Sequence, residues 1–246
     1  MKAVILAAGR GSRLIPLTNI IPKPLLRIKD RPLIVNSIQT LYEVGIKKIA
    51  LVVGFKGDTI LEETAHLNLS DLEIQHIFCE EWERGNGISL FYSREFIGKD
   101  DFILLMSDHI LDKEILEKLL EIEKKEKDFV ACIAHVKINP RTKSEYLKKV
   151  IEESTKILKN EKNEVLRFGK KLKDFNGIDI GAFLCKPKVF EALEELKKEK
   201  KEVTVTDCMN RLIEKGNRII GCDVTGHFWK DVDTLEDITV IEESIA

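Results

Sequence analysis

Five short apolar runs punctuate the first half of the chain: AVILA (3–7), IALVV (49–53), IQHIF (74–78), FILLM (102–106) and FVACIAHV (129–136). Segments with helical periodicity lie between them. PLIVNSIQTLYEVG ends on Gly45, a residue suited to the turn that closes a helix, and DKEILEKLLEIEKKEK opens on Asp112 as an N-cap and closes on lysines that complement the helix dipole. Nearly continuous apolar strands alternating with helices predict an α/β fold, with a doubly wound, mostly parallel central sheet covered by helices on both faces.

The pattern changes between residues 137 and 187. KKVIEES, KILKNEKNEVLRF and IDIGAFLC read as strands, the second broken by the turn-prone KNEKN, and Pro187 ends the run. A small antiparallel insertion over 137–187 is predicted, lying against the mouth of the main sheet. Helix, strand and helix then return in KVFEALEELKKEKKE, TDCMNRLIEKG, RIIGCDV and TLEDITVIEESI. No low-complexity linker interrupts the chain, so residues 1–246 read as one domain.

Composition narrows the function. With 246 residues and a formal net charge of -2, the chain carries no broad positive field of the kind non-specific nucleic-acid binding needs. No apolar stretch approaches the ~20 residues of a membrane span, and the N-terminus starts a strand instead of a signal peptide. A cytoplasmic protein with no direct membrane insertion is expected. A third of the residues are charged while only two are glutamine, a balance that recurs in heat-adapted proteins. The five cysteines include no C-x-x-C pair and read as reduced thiols.

The chemistry concentrates in LAAGRGSRLIPLTNIIPKPLL (6–26), directly after the first strand. Ligands of open parallel sheets bind at the carboxyl ends of strands, which makes this the best address in the chain. Gly9 and Gly11 match the start of G-x-G-x-x-G, but Leu14 stands where the third glycine belongs, and a Walker loop is absent as well. What remains is a phosphate cradle: glycines bring backbone N–H groups close to anionic oxygens, Arg13 offers a planar fork, and Lys23 is a cation held between Pro22 and Pro24. A plain glycine-rich turn with surface arginines is the alternative, and the positioned lysine speaks against it.

Asp108 ends an otherwise apolar strand, where an unpartnered carboxylate is costly unless it coordinates something or caps the next turn. Mg²⁺ is usually held by one or two carboxylates plus substrate phosphates, so Asp108 and Asp231 are the candidate ligands. Asp233 is open between metal ligand and N-cap of TLEDI. His109 reads as a support for its neighbour rather than a participant.

AAGRGSRL followed by PKPL resembles the nucleotidyltransferase signature of the sugar-1-phosphate pyrophosphorylases and their cytidylyltransferase relatives. ERGNGISL (83–90) is similar to the family's base-reading loop, LLMSDHIL (104–111) to its metal-binding strand end and FWKDVDT (228–234) to its late W-x-D element. Read more finely, RGNGISL, SDHI, RFGKKLKDFNGIDIGAFLC and FWKDVDT together resemble the CTP:inositol-1-phosphate cytidylyltransferases of the di-myo-inositol-phosphate pathway.

That resemblance implies a Rossmann-like nucleotide-diphospho-sugar transferase fold and transfer of a cytidylyl group from CTP to inositol 1-phosphate with Mg²⁺. It implies catalytic roles for Arg13, Lys23 and Asp108, and a nucleotide site of Leu6, Ala7, Ala8, Gly9, Gly11, Asn86, Gly87 and Ser89. Lys149, Lys170, Asn176 and Asp179 would bind the acceptor, and Asp108 and Asp231 the metal. The product would pass to a separate membrane-embedded CDP-inositol:inositol-phosphate transferase, and the chain would form a homodimer. Two features depart from the sugar-nucleotide enzymes: Asp233 replaces the glycine of D-x-G-T, and Asn86 replaces a glutamine in the base loop. Another sugar-1-phosphate or phosphocholine nucleotidyltransferase is the alternative within enzymes. A non-catalytic nucleotide-sugar-binding regulator is the alternative outside them, though it has no need of Arg13, Lys23, Asp108 and Asp231 together. Lys23→Ala and Asp108→Ala are each expected to lose a factor of about 10² to 10³ in turnover while remaining folded.

Overall fold

The computed structural model describes residues 1–123, 129–134 and 151–244. Each apolar run is a strand. β1 (Lys2–Ala7), β4 (Lys48–Val53), β5 (Glu73–Phe78) and β6 (Phe102–Met106) pair in parallel, in the spatial order β5-β4-β1-β6. Two short two-stranded ladders lie outside the main sheet: the hairpin of β2 (Arg27–Ile28) with β3 (Arg31–Pro32), and the long-range antiparallel pair of β7 (His109–Leu111) with β13 (Trp229–Asp231).

Alternate residues of each strand feed two cores because successive side chains point to opposite faces. Val4, Leu6, Ala50, Val52, Phe102 and Leu104 face the helices Asn86–Tyr92, Val189–Glu199 and Val205–Glu214. Ala3, Ile5, Ile49, Leu51, Ile103 and Leu105 face Leu33–Glu43, Gly57–Ala65 and Lys113–Glu123. The sheet is therefore covered on both sides, as the apolar runs require.

The expected insertion needs correction. β9 (Lys156–Lys159) and β10 (Val165–Gly169) do form an antiparallel pair, but residues 151–153, expected in a strand, are helical. β11 (Gly177–Cys185) is a central strand of the main sheet, antiparallel to β6 on one side and to β8 (Phe129–Ala134) on the other, with β12 (Ile219–Asp223) parallel to β8 beyond. Its residues 178–185 are buried except at Asp179, since both faces are covered, which is why the sequence pattern resembled a local hairpin rather than a core strand. β9 pairs with the start of β11, past the carboxyl end of β6, so only the β9–β10 ladder overhangs the mouth.

The strand order reverses at β1, whose neighbours β4 and β6 lie on opposite sides. The crevice at the carboxyl ends of β1 and β6 is the switch point where such sheets bind ligands. A third cluster of Leu14, Leu26, Ile28, Leu33, Val232 and Ile241 ties the loops after β1 and β13 to the C-terminal helix Leu235–Ser244. Cys79, Cys185, Cys208 and Cys222 are buried. Among the described residues, no helix is long and apolar enough to cross a membrane.

Candidate active site

The loop after β1 turns at Gly11, whose φ of +68° favours glycine and where a Cβ would meet the Lys23 Cβ at 2.9 Å. Gly11 thus lets the Lys23 segment close against the loop. Gly9 is different: a Cβ there would meet nothing within 4 Å, and its backbone borders an open cleft of about 580 Å³. Arg10 braces the loop from outside, donating to Asn19 Oδ1 at 3.0 Å with its guanidinium over the Phe55 ring.

Lys23 is 8% exposed and donates to Asp108 Oδ2 at 2.5 Å and Asp233 Oδ1 at 2.8 Å. Arg13 pairs with the other oxygen of Asp233. Burial disfavours charge on Lys23, yet the two carboxylates outweigh it and raise the ammonium above its ordinary value. Asp108 also pays for burial, but Lys23 and His109, whose Nδ1 lies 2.7 Å from Asp108 Oδ1, hold it well below the usual carboxylate range.

Backbone pairing delivers these groups. Ser107 N–H donates to Leu6 O at 3.1 Å, and Val232 N–H to Asp108 O at 2.9 Å, which seats the 231–233 loop against the end of β6. Asp231 stands opposite His109 across the β7–β13 ladder. The helix after this loop is capped by Thr234 and Asp237: Thr234 N–H donates to Asp237 Oδ2 at 2.7 Å and Asp237 N–H to Thr234 Oγ1 at 3.4 Å. Asp233 is therefore not the N-cap; its carboxylate belongs to the cleft.

The far wall is the loop before the Asn86–Tyr92 helix. Val203 N–H donates to Arg84 O, Gly87 N–H to Val203 O and Val205 N–H to Asn86 Oδ1, all at 2.8–2.9 Å. Two backbones meet so closely that a Cβ on Gly85 would lie 2.4 Å from Val203 O, and one on Gly87 2.9 Å from the Thr204 carbonyl. Glu81 anchors the loop's start by accepting from Lys197 and Arg84, which pull its pKa down to about 2. Asn86 thus spends its carbonyl on the Val205–Glu214 helix while lining the cleft. Gly87 serves packing rather than the cleft.

A second chamber of about 530 Å³ adjoins the first and shares Arg13, Gly85, Asn86, Met106, Asp108 and Asp233 with it. Glu153, Thr155, Lys170, Asp179, Trp229 and Asp231 are among the residues that close its outer side. β11 bulges between Asp179 and Phe183, where Gly181 takes φ +73°, and a Cβ there would lie 2.9 Å from His109 Nε2. Asp179 accepts from Gly181 N–H at 2.8 Å, but burial dominates and pushes its pKa up to about 6 from an ordinary 3.8.

A folded-state pKa raised above the unfolded value means that the neutral form is favoured on folding. The stability Asp179 contributes is present below pH ~4 and lost as pH rises through about 6. Two units correspond to about 3 kcal/mol. Asp179→Asn, which keeps an oxygen for Gly181 N–H, should therefore unfold at a higher temperature than the wild type at pH 8 and at the same temperature at pH 4. Unfolding curves that differ equally at both pH values would refute this.

The model of the nucleotidyl transferase family matches residues 2–246. The chain belongs to this family. A relative from Aquifex aeolicus (strain VF5) named "Bifunctional IPC transferase and DIPP synthase" is 36% identical over 236 residues, covering 96% of this chain and 50% of the relative. The chain thus spans about half the length of that relative. Among solved structures, the inositol-1-phosphate CTP transferase from T. maritima superposes with a TM-score of 0.79 at 22% identity, covering 98% of this chain and 93% of that one. A UDP-glucose pyrophosphorylase complexed with UDP-glucose reaches 0.83 at 21%, covering 99% and 97%. At these identities the two structures establish a shared nucleotidyl transferase fold and leave the substrate to the site.

Of the nucleotide-site residues expected from sequence, Leu6, Ala8, Gly9, Gly11, Asn86 and Ser89 line the first chamber with Arg13, Lys23 and Asp108. Ala7 points into the opposite core and Gly87 into the 203–204 backbone, so neither side faces the cleft. Lys170, Asp179 and Asp231 line the second chamber. Asn176 does not reach it: its side-chain amide is spent on β9, accepting from Lys159 N–H at 3.0 Å and donating to Lys159 O at 2.8 Å. Lys149 lies outside the described residues. Sequence reasoning missed Trp82, Ser107 and Gly181 and left Asp233 undecided. The only available signal was an aspartate in place of glycine in the late motif.

Proposed function

We propose that the chain transfers the cytidylyl group of CTP to 1L-myo-inositol 1-phosphate, giving CDP-inositol and pyrophosphate for the synthesis of di-myo-inositol phosphate. The observation that carries the reading is the pair of chambers meeting at Arg13, Asp108 and Asp233, a geometry suited to two phosphorylated substrates reacting across one wall. The names of the Aquifex relative and of the T. maritima structure support the choice of substrates.

In this reaction an acceptor phosphate oxygen forms a bond to the α-phosphorus of CTP while the bond to the departing pyrophosphate breaks. The acceptor is already ionised, so no protein nucleophile or base is required, and the protein's task is to align two anions and offset their repulsion. Arg13 and Lys23 are placed to hold the triphosphate, with the Gly9–Gly11 backbone beneath it. Beyond the shared wall, Glu153, Asp179 and Glu202 line the second chamber as acceptors for ring hydroxyls, and Lys170 offers a cation for the acceptor phosphate.

The donor set also fits Mg²⁺. Asp108 and Asp233 already enclose a buried cation, the Lys23 ammonium, and Asp231, opposite His109 in the β7–β13 ladder, lines the second chamber with them. Asp108 with Asp231 or Asp233 would hold the ion, which when bound would draw charge from the α-phosphate and the leaving group. The CDP-inositol would be consumed by a membrane-embedded transferase activity that joins it to a second inositol phosphate.

The test is pyrophosphate release with each of the four NTPs against inositol 1-phosphate, glucose 1-phosphate, mannose 1-phosphate and phosphocholine. The expected pair is CTP with inositol 1-phosphate. Release with hexose phosphates but not with inositol 1-phosphate rejects the acceptor, and no release with any pair rejects the enzyme.

A further inference from the structure

Asp233 lies between the two cations assigned to the triphosphate, and it holds them both. One oxygen accepts from Lys23 at 2.8 Å, the other pairs with Arg13, and the side chain is 7% exposed. The carboxylate has no local structural duty, because Thr234 and Asp237 cap the following helix. It is nevertheless fixed in place: Asp233 N–H donates to Asp237 Oδ2 at 2.9 Å, and Asp237 is itself held by Lys230 at 2.7 Å.

We infer that Asp233 is a stand-in for the nucleotide's phosphates, and that it makes the divalent ion and the nucleotide bind as a pair rather than separately. The charges at the shared wall are balanced: Asp108 and Asp233 against Lys23 and Arg13. A metal-free triphosphate can take the two cations only by leaving the buried Asp233 carboxylate unpaired and Asp108 with His109 alone, which is strongly unfavourable. A divalent ion alone must instead displace the Lys23 ammonium, which donates to Asp108 at 2.5 Å and to Asp233 at 2.8 Å. Arriving together, phosphates replace the carboxylates around Lys23 and Arg13 while the ion replaces the ammonium beside Asp108 and Asp233. Each of the four charged side chains of the wall then keeps a partner. The arrangement excludes free nucleotide and loose metal without any moving lid.

This inference rests on the proposed nucleotide site, so the probes separate the two. Isothermal titration of the full chain is run with CTP and, independently of the base, with inorganic pyrophosphate, each with Mg²⁺ and in EDTA. The wild type is expected to bind each anion at least about fivefold more weakly without Mg²⁺. Asp233→Asn keeps the shape and removes the charge, and it should tighten metal-free binding of both anions by about fivefold or more. Asp233→Ser is measured alongside, with unfolding curves for both variants, and should move binding in the same direction. Metal-free affinity that stays the same or weakens in both folded variants overturns the inference and leaves Asp233 as an ordinary ligand or brace. Coupling seen with pyrophosphate but no binding of CTP retains the inference and refutes the choice of nucleotide.

Discussion

Lys23→Ala is expected to lose a factor of about 10² to 10³ in turnover and, in addition, about 3 kcal/mol of stability. The first loss follows from removing a preorganised donor at the phosphates. The second follows from lost pairing: Lys23 neutralises Asp108 and Asp233 at once, and without it the buried Asp233 keeps only Arg13 and the half-buried Asp108 only His109. Sequence alone suggested that the variant stays folded, and the two ion pairs of Lys23 add the expectation that it does so with less stability.

The pH dependence gives the stability loss a signature. Lys23 has a raised pKa, so its contribution is complete below 10.5 and lost only on passing its higher folded-state value. Asp108 has a depressed pKa, so the contribution of the pair is present above 3.8 and lost as pH falls through the lower folded-state value. Wild type and Lys23→Ala should therefore differ in chemical denaturation at pH 7 and converge in strong acid. Millimolar Mg²⁺ should restore part of the lost stability by supplying a cation to Asp108 and Asp233. Near-normal turnover, or a pH-independent stability difference, would contradict the assignment of Lys23.

Asp108→Asn is expected to separate the two effects. Turnover should again fall by about 10² to 10³, because the carboxylate at the wall between the chambers can no longer share an ion with the phosphates. Stability should change far less than in Lys23→Ala: the ammonium keeps Asp233 at 2.8 Å, and the amide still offers an oxygen to it. Steady-state rates against Mg²⁺ concentration should show a higher requirement in the variant, with thermal unfolding close to wild type. A variant with full turnover at wild-type Mg²⁺ levels would remove Asp108 from the reaction.

Much of the architecture was legible because it depends on local periodicity. Apolar runs separated by helical segments became β1, β4, β5, β6 and β8 almost residue for residue, since the central strands β1, β4 and β6, buried on both faces, need little more than continuous hydrophobicity, while β5 is a half-exposed edge strand. The same logic failed for IDIGAFLC. A local antiparallel ladder and a central strand inserted between β6 and β8 carry the same apolar pattern, and only long-range pairing tells them apart. Asn176 failed for a related reason: an exposed polar residue in a turn looks available until its amide is seen bonded to the strand beside it.

The sequence by itself determined the family, the doubly wound sheet, the position of the glycine-rich loop after β1, and Arg13, Lys23 and Asp108 as candidate residues that the structure brings to one cleft. These are properties of spacing within short segments, which a linear motif records. Tertiary structure alone decided how those charges are spent. Lys23 meets Asp108 across 85 positions and Asp233 across 210, and Arg13 meets Asp233 across 220. Such distant pairs leave no periodic trace, because they arise where two loops converge on one strand end. That convergence turns a set of expected ligands into a balanced, buried ion network between two chambers.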